Sequence, residues 1–310
     1  MEIGKLISKI RKDKNIPINQ VINNQMSIST YVRFIEGKNQ ISINGFLDIL
    51  NNLNLSFGEF EYIWNGYQND ILYRFNRNVM NQVLCGNLDR LILIENSIRL
   101  HIGKNNNRKY NKYFQLDCAT NIFINILRNK KKLISDRKLK KINQPYIDSI
   151  SHYLLKRYTW NYYEITLFND VYFIFNINTI RFFYKRVVKD FDRYRDLNKY
   201  QNKGFRLLVN MLVMFIDNKD LTDASDLLLK LIKYNLREDM VMERLLLNFM
   251  IGIFELIQNN LNGIKLIKKS LSFLKFTKSK NYYLASKRYF NETVKRYNVN
   301  LAKLRNGDVS

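Results

Sequence analysis

Two stretches of the sequence carry the same polar pair, an arginine followed by an asparagine one helical turn later. Arg206 and Asn210 form the first pair, and Arg244 and Asn248 repeat it further along the chain. Asparagine is a poor residue inside a helix, and a buried amide needs hydrogen-bond partners, which the backbone of an extended polypeptide ligand would provide. An arginine on the same helix face suits a carboxylate of that ligand. Two interpretations stay open: a peptide-binding face, or asparagines that bond neighbouring helices beside arginines in structural ion pairs.

A second group of polar residues lies near the N-terminus on one short predicted helix. Ser29, Thr30 and Arg33 fall on or near one face of this helix, opposite its apolar side. Arginine is the side chain best matched to guanine O6 and N7, and hydroxyl groups serve bases or phosphates. We predict base contact by this face, the alternative being a surface Arg33 paired with Glu36. Phosphate contacts, which give affinity without sequence information, are predicted for Lys5, Arg11, Lys14 and Lys38.

Residue types that serve catalysis are sparse. His101 and His152 are far apart, and Cys85 and Cys118 are isolated, without His, Cys or carboxylate clusters at metal-ligand spacing. The sequence contains no phosphate-binding glycine loop and no nucleophile-elbow motif. We therefore predict a protein that is not an enzyme, with no catalytic residue, no metal and no cofactor.

The net charge of +24 is unevenly distributed. Residues 1–65 carry seven Lys and Arg against six Asp and Glu, whereas residues 99–141 carry thirteen against two and residues 264–305 twelve against one. The surplus lies outside the region of Arg33. We interpret the basic runs at 130–132 and 138–141 as solvated helical faces, in preference to a phosphate-contacting patch.

The cysteines and the longest apolar runs indicate the compartment. Two isolated thiols suit a reducing cytosol. The runs at 171–184 and 245–257 are too short or too polar to span a bilayer, and the N-terminus lacks the apolar segment of a signal peptide. We predict a cytoplasmic protein without a membrane partner.

Apolar spacing predicts an all-α chain that divides near residue 65. Residues 1–65 form five short helices, and two of them joined by the polar turn 23–27 have the helix-turn-helix arrangement, whose second helix enters the major groove. Gly37 is placed to end the third helix, and Ser56 and Glu59 have the spacing of a capping box at the start of the fifth.

Residues 66–310 are predicted to repeat a helical hairpin at an interval typical of a tetratricopeptide-like α-solenoid. Asn169 precedes Asn210 by a similar interval and marks an earlier repeat. Tyr162 and Tyr163 are candidates for the same ligand channel, with core packing as the alternative. Polar breaks are expected near residues 86–87, 103–107, 130–132, 198–203, 218–220, 235–239 and 259–263.

Several short pieces of the segment from Ile3 to Phe60 match one known family. They are Gly4-Lys5, Ile10-Arg11, Ser27-Ile28-Ser29, Arg33-Phe34, Gly37-Lys38, Ile41-Ser42, Phe46, Leu50, Leu53-Asn54-Leu55 and Glu59-Phe60. Together they resemble the N-terminal domain of Rgg-type (GadR/MutR) transcriptional regulators of low-GC Gram-positive bacteria. The chain departs from the family's usual Ser-Arg-Phe-Glu, since it has Val32-Arg33-Phe34-Ile35 and its nearest acid is Glu36.

The resemblance continues in the C-terminal region. Trp160-Asn161-Tyr162-Tyr163-Glu164-Ile165, followed by Leu167-Phe168-Asn169, is similar to the family's Trp-x-x-Tyr-Glu-Leu-x-Leu-Phe-x-Asn stretch. The resemblance implies a cytosolic homodimeric transcription factor whose tetratricopeptide-like domain receives a short signalling peptide on its concave face. The partners expected are a double-stranded DNA operator with an inverted repeat, the peptide, a second copy of the chain and RNA polymerase. The alternative is a solenoid adaptor that binds a protein partner without reading DNA, and the exposed Arg33 face favours the regulator.

Overall fold

A computed structural model gives the fold and describes residues 2–22, 26–102, 111–194, 197–260 and 262–299. Within these ranges every regular element is helical, which confirms the predicted all-α class. None of the helices in this part of the chain is long and apolar enough to cross a membrane. The chain separates into two compact units, residues 1–104 and 105–310.

The first unit contains seven helices among its described residues. They are α1 (Ile3–Asp13), α2 (Ile18–Ile22), α3 (Ile28–Ile35), α4 (Ile43–Asn52), α5 (Phe57–Trp64), α6 (Ile71–Cys85) and α7 (Leu88–Ile102). The first five share one apolar core, and α6 packs along α7 as a hairpin. The predicted division near residue 65 falls inside this unit, between α5 and α6, and stays a prediction for the limit of the DNA-binding domain.

The core of the five-helix bundle positions α3. Tyr31 of α3 is fully buried, and Phe34 of the same helix is nearly so. Gly4 lets α1 approach α3 closely, because a Cβ atom at this position would overlap the carbonyl oxygen of Phe34. Asn52 of α4 donates a 2.7 Å hydrogen bond to the carbonyl oxygen of Val21, which ties α2 to the bundle. The two helices of the helix-turn-helix pair are therefore each anchored to the bundle, α3 by α1 and α2 by α4.

The local signals at the ends of these helices are confirmed. Ser56 accepts from the backbone N–H of Glu59 at 3.2 Å, and the Glu59 carboxylate accepts in return from the backbone N–H of Ser56 at 2.8 Å. Gly37 has a φ of 75°, the left-handed conformation expected after α3. Residues 23–25 of the predicted polar turn 23–27 lie outside the described residues.

The second unit contains nine α-helices and the short 3-10 helix Tyr172–Ile174 among its described residues. The α-helices are α8 (Lys112–Lys130), α9 (Asp136–Leu155), α10 (Tyr162–Val171), α11 (Ile177–Arg193), α12 (Asn198–Asp217), α13 (Leu221–Lys233), α14 (Val241–Ile257), α15 (Asn262–Phe276) and α16 (Lys280–Arg296). Each helix from α11 to α16 packs against the next one along the chain. In addition, α10 packs on α12, α12 on α14, and α14 on α16. We call these four helices row A.

Row A is the arrangement expected of stacked helical hairpins, in which alternate helices form one layer. A close approach joins α14 and α15, where a Cβ atom on Gly252 would lie 2.6 Å from the carbonyl oxygen of Gly263. Two small residues therefore let these helices touch through their backbones. Row A carries Asn169, Asn210 and Asn248 on three successive members.

One predicted break is wrong. Residues 198–203 form the beginning of α12 instead of a loop, and Tyr200 and Gln201 within them are buried. The polar composition of this segment suggested a loop. The side chain of Gln201 is nevertheless buried, because Tyr234 and Arg237 satisfy its hydrogen-bonding groups. The other described breaks coincide with the ends of helices, although Lys130 still belongs to α8 and residues 262–263 already belong to α15. Residues 103–107 and Leu261 lie outside the described residues.

Candidate functional sites

The predicted DNA-reading face is the exposed side of α3. Ser27 caps the helix, since its hydroxyl oxygen accepts from the backbone N–H of Thr30 at 3.1 Å. Its hydroxyl also lies 2.9 Å from that of Thr30, so the Thr30 hydroxyl has an internal partner at the first turn. Ser29 and Arg33 are exposed. The first turn of the helix therefore presents hydroxyl groups, and its last turn presents a guanidinium.

The alternative of a structural ion pair between Arg33 and Glu36 is not what the structure contains. Glu36 pairs instead with Lys38, whose Nζ lies 2.7 Å from its carboxylate. The side chain of Arg33 makes no hydrogen bond or ion pair with another residue in the part of the chain that the structure describes. Its guanidinium donors are therefore not occupied by any described residue.

The four predicted phosphate contacts fall into two kinds. Lys5 pairs with Glu2 at 2.9 Å and Lys38 with Glu36, and in both pairs each side chain is largely exposed. Exposed pairs of this kind contribute little, at most about 1 kcal/mol, so a phosphate can replace the carboxylate. A phosphate contact by either lysine stays a prediction.

Arg11 and Lys14 have structural partners. Arg11 donates from Nη1 to the carbonyl oxygen of Ile16 at 2.7 Å, and Lys14 donates from Nζ to that of Leu53 at the same distance. Lys14 thus joins the end of α1 to the end of α4. Burial raises the pKa of the neighbouring Tyr31 hydroxyl although the Arg11 guanidinium opposes the shift. These two basic residues hold the bundle together, which sequence reasoning missed.

The first arginine–asparagine pair of row A is satisfied within the protein. Arg206 on α12 lies 2.9 Å from the carboxylate of Glu243 on α14, a side chain that is only 4% exposed. Its Nη1 also donates to the hydroxyl of Tyr282 on α16 at 3.1 Å. One guanidinium therefore joins three members of row A. This matches the alternative of a structural ion pair for Arg206.

Asn210 also has a partner in row A. Its Nδ2 donates to Oδ1 of Asn169 on α10 at 2.9 Å, and both side chains are partly buried. Two of the asparagines that repeat spacing predicted as ligand contacts are therefore brought together. Their bond leaves the amide oxygen of Asn210 and the amide nitrogen of Asn169 for further partners.

The second pair differs from the expectation of buried amides. Arg244 and Asn248 on α14 are both exposed. Arg244 donates from Nη2 to the carbonyl oxygen of Leu236 in the loop before α14. The side chain of Asn248 has no hydrogen-bond partner among the residues with described placement. The expectation that Asn248 is buried is wrong, because the face of α14 that carries it is not covered by another described helix.

The two candidate tyrosines at the start of α10 differ in their surroundings. Tyr163 donates to the carbonyl oxygen of Lys112 at 2.9 Å and packs edge-on against Tyr153, which ties α10 to α8 and α9. Burial raises the pKa of its hydroxyl well above the ordinary value. Tyr162 is half-buried at the first position of α10. Core packing thus accounts for Tyr163, and ligand contact by either residue stays a prediction.

Residues with metal-binding or redox chemistry do not converge. No group of three His, Cys, Asp or Glu residues able to hold a metal occurs in the described ranges. Cys85 is exposed and Cys118 is buried, both as free thiols. One polar cluster in row A brings together Arg206, Glu243 and Tyr282. Sequence reasoning missed the last two, although the recurrence of Arg206 at a fixed offset was a signal to search the next repeat for its partner.

Comparison with known proteins gives one family and several similar structures. Residues 94–288 match the family model of the "HTH-type transcriptional regulator Rgg, C-terminal domain". A Listeria monocytogenes protein described as a transcriptional regulator shares 19% identity and a TM-score of 0.79, with 96% of this chain and 99% of that one covered. The SHP pheromone receptor Rgg2 of Streptococcus dysgalactiae shares 20% identity and a TM-score of 0.73, covering 94% and 100%. The structure of the PrgX/cCF10 complex shares 13% identity and a TM-score of 0.66, with 94% of this chain and 99% of that one covered.

Proposed function

This chain belongs to the Rgg family of transcriptional regulators, and on that premise we propose that it is a sequence-specific DNA-binding regulator controlled by a short peptide bound on row A. The family is one of transcriptional regulators, in agreement with the prediction that the chain is not an enzyme. In this proposal the protein acts in the cytosol as a homodimer on an inverted-repeat operator and influences RNA polymerase there.

The exposed face of α3 carries the DNA-binding part of the proposal. Arg33 lies on a helix anchored by the buried Tyr31, and none of its donors is occupied by a described residue. A recognition helix must be held firmly by the protein core, and its arginine must have unoccupied donors to bind guanine. Ser29 and Thr30 would add contacts at the first turn, and Lys5 and Lys38 would hold phosphates. An adaptor without DNA readout gives Arg33 no role.

The polar groups of row A support the peptide-binding part. Rgg2 is described as a receptor for the SHP pheromone and PrgX as a complex with cCF10, and we extend peptide binding to this chain as a proposal. Its candidate contacts are Asn169, Asn210, Arg244, Asn248, Tyr162 and Tyr163, and Arg206 is a structural residue beside them. Amides and guanidinium groups on successive helices suit an extended backbone with an acidic group.

A map of the DNA fragments that co-purify with the full-length protein tests the DNA part. We expect a discrete set of genomic sites with a shared motif, bound by purified protein at least about a thousandfold more tightly than random DNA. Arg33→Ala is the matched variant, since it removes the guanidinium without touching the core. Equal affinity of the wild-type protein for recovered and random fragments would overturn the proposal.

The peptide part is tested with synthetic peptide pools of about eight apolar and polar residues, the length that an extended chain needs to cross three helices. Ligands that bind only the folded state raise the melting temperature. We expect a concentration-dependent rise for the full-length protein and none for an unrelated helical protein. The absence of any rise would exclude such peptides as ligands.

A further inference from the structure

The two arginine–asparagine pairs of row A have the same spacing but different partners. In the first pair, the guanidinium of Arg206 binds the Glu243 carboxylate, and the amide of Asn210 binds the Asn169 amide. In the second pair, Arg244 and Asn248 are exposed, and neither has a side-chain partner among the described residues. The first pair therefore shows which chemical groups this constellation accepts: one carboxylate and one amide.

Repeat spacing explains why the second pair lacks a carboxylate. Glu243 follows Arg206 by 37 residues. The residue at the same distance after Arg244 is Asn281. Asn281 stands in the first turn of α16 directly before Tyr282, whose hydroxyl accepts from Arg206. By this sequence interval, an asparagine stands where the preceding repeat has its acid. The chain omits the charge that would neutralise Arg244.

Two further cations on row A, Lys203 of α12 and Arg296 of α16, have carboxylate partners. Lys203 lies 3.2 Å from the carboxylate of Asp170, and Arg296 pairs with Asp217. Burial raises the pKa of Asp217 although Arg296 opposes the shift. Together with the pair of Arg206 and Glu243, these ion pairs join the four helices of row A. Among the described residues, the guanidinium of Arg244 bonds only the carbonyl oxygen of Leu236.

We infer that Arg244 and Asn248 form the anchoring subsite for the peptide, which supplies a carboxylate to Arg244 and a backbone amide to Asn248. The inference rests on the proposed peptide binding and specifies it: the ligand is an acidic peptide, and Arg206 is a structural residue beside the subsite. The carboxylate comes either from an Asp or Glu side chain or from the C-terminus. Both sources offer the planar pair of oxygens that a guanidinium binds.

Three synthetic pools test the subsite with purified full-length protein. Each pool has about eight residues, the length of an extended chain across three helices, drawn at random from Leu, Ile, Val, Phe, Tyr and Gly. The first pool contains one Asp and an amidated C-terminus, the second replaces Asp by Asn, and the third combines Asn with a free C-terminal carboxylate. Peptides retained by the protein are quantified by mass spectrometry.

The wild-type protein is expected to retain one of the two acidic pools at least about tenfold over the neutral pool, because a charge-assisted bidentate pair contributes this much or more. Preference for the first pool identifies a side-chain carboxylate, and preference for the third identifies the C-terminus. Arg244→Gln is expected to abolish the preference. Lys233→Gln, which removes an exposed charge on α13, is the control and should keep it.

A second variant leaves Arg244 in place. Asn281→Glu restores the acid that the repeat omits, so it should neutralise Arg244 from within the chain and remove the preference for acidic peptides. Asn281→Gln is its control. Asn281 and Arg244 are both exposed, so the substitutions at these two positions should not disturb folding. Melting curves of the variants check this.

Two results overturn the inference and differ in what else they exclude. If the wild-type protein retains peptides but Arg244→Gln and Asn281→Glu keep the full acidic preference, the anchor lies elsewhere and peptide binding stands. If the wild-type protein retains no pool above an unrelated helical protein, peptide binding fails and the subsite fails with it.

Discussion

The amide of Asn210 on α12 donates a 2.9 Å hydrogen bond to the amide oxygen of Asn169 on α10. The two residues occupy matching places in successive repeats. Both are partly buried, so each amide lacks full access to water that could replace the bond. The contact therefore stabilises the stacking of two neighbouring members of row A, whatever further partner it meets.

Asn210→Ala should lower the free energy of unfolding by about 1–2 kcal/mol, since it strands the partly buried amide of Asn169. Asn248→Ala should leave stability within about 0.5 kcal/mol, because its exposed amide has no partner to strand. Urea unfolding followed by circular dichroism measures both. For peptide affinity we expect a loss of about 1–3 kcal/mol with Asn248→Ala. DNA affinity of the peptide-free protein should stay unchanged, and equal destabilisation by both variants would contradict this assignment.

The contrast between these asparagines shows what the sequence could and could not predict. The repeat offset correctly placed Asn210 and Asn248 on equivalent helices, because helix-length apolar periodicity and repeat spacing are local properties. It did not predict that Asn210 is bonded and Asn248 exposed, because that difference depends on residues in the neighbouring repeats. The capping box of Ser56 and Glu59 was predictable because its two residues are close in sequence. The bond from Lys14 to the end of α4 was not, because its partners are far apart in sequence.

Arg33→Ala should weaken binding to the operator by about 1–3 kcal/mol and leave binding to random DNA nearly unchanged. The physical reason is that its free guanidinium is available for a bidentate contact with guanine, which only a specific sequence offers. Fluorescence anisotropy with both DNA types, at one fixed salt concentration, measures the difference. Equal losses on the two DNAs would instead make Arg33 a phosphate contact.

Lys5 and Lys14 differ only in their partners and form a matched pair for separating DNA contact from stability. Lys5→Ala removes an exposed ion pair, so stability should change by less than about 0.5 kcal/mol. If Lys5 contacts a phosphate, the slope of log affinity against log salt should fall by about 0.9. Lys14→Ala removes the 2.7 Å bond to Leu53 and should cost about 1 kcal/mol of stability. A Lys14 variant as stable as the wild type would show that this bond is dispensable.

The two cysteines should react at very different rates with a thiol-specific reagent. Burial raises the pKa of the Cys118 thiol to about 12, so at about pH 8 this thiol stays protonated as well as inaccessible. Cys85 is exposed and should react first. We expect one thiol per chain to react rapidly with Ellman's reagent and the second only after unfolding. Rapid reaction of the Cys85→Ser variant in the folded state would show that the α8 core opens.

The operator should be an inverted repeat occupied by two copies of the chain. A two-fold dimer presents two copies of α3 related by the same symmetry, so the half-sites must lie about one helical turn of DNA apart, or a multiple of it. Footprinting of the full-length protein should give two protected half-sites on opposite strands, with a stoichiometry of two chains per operator in analytical ultracentrifugation. Arg33→Ala should weaken protection of both half-sites equally. Protection of one asymmetric half-site by a single chain would exclude the dimer model.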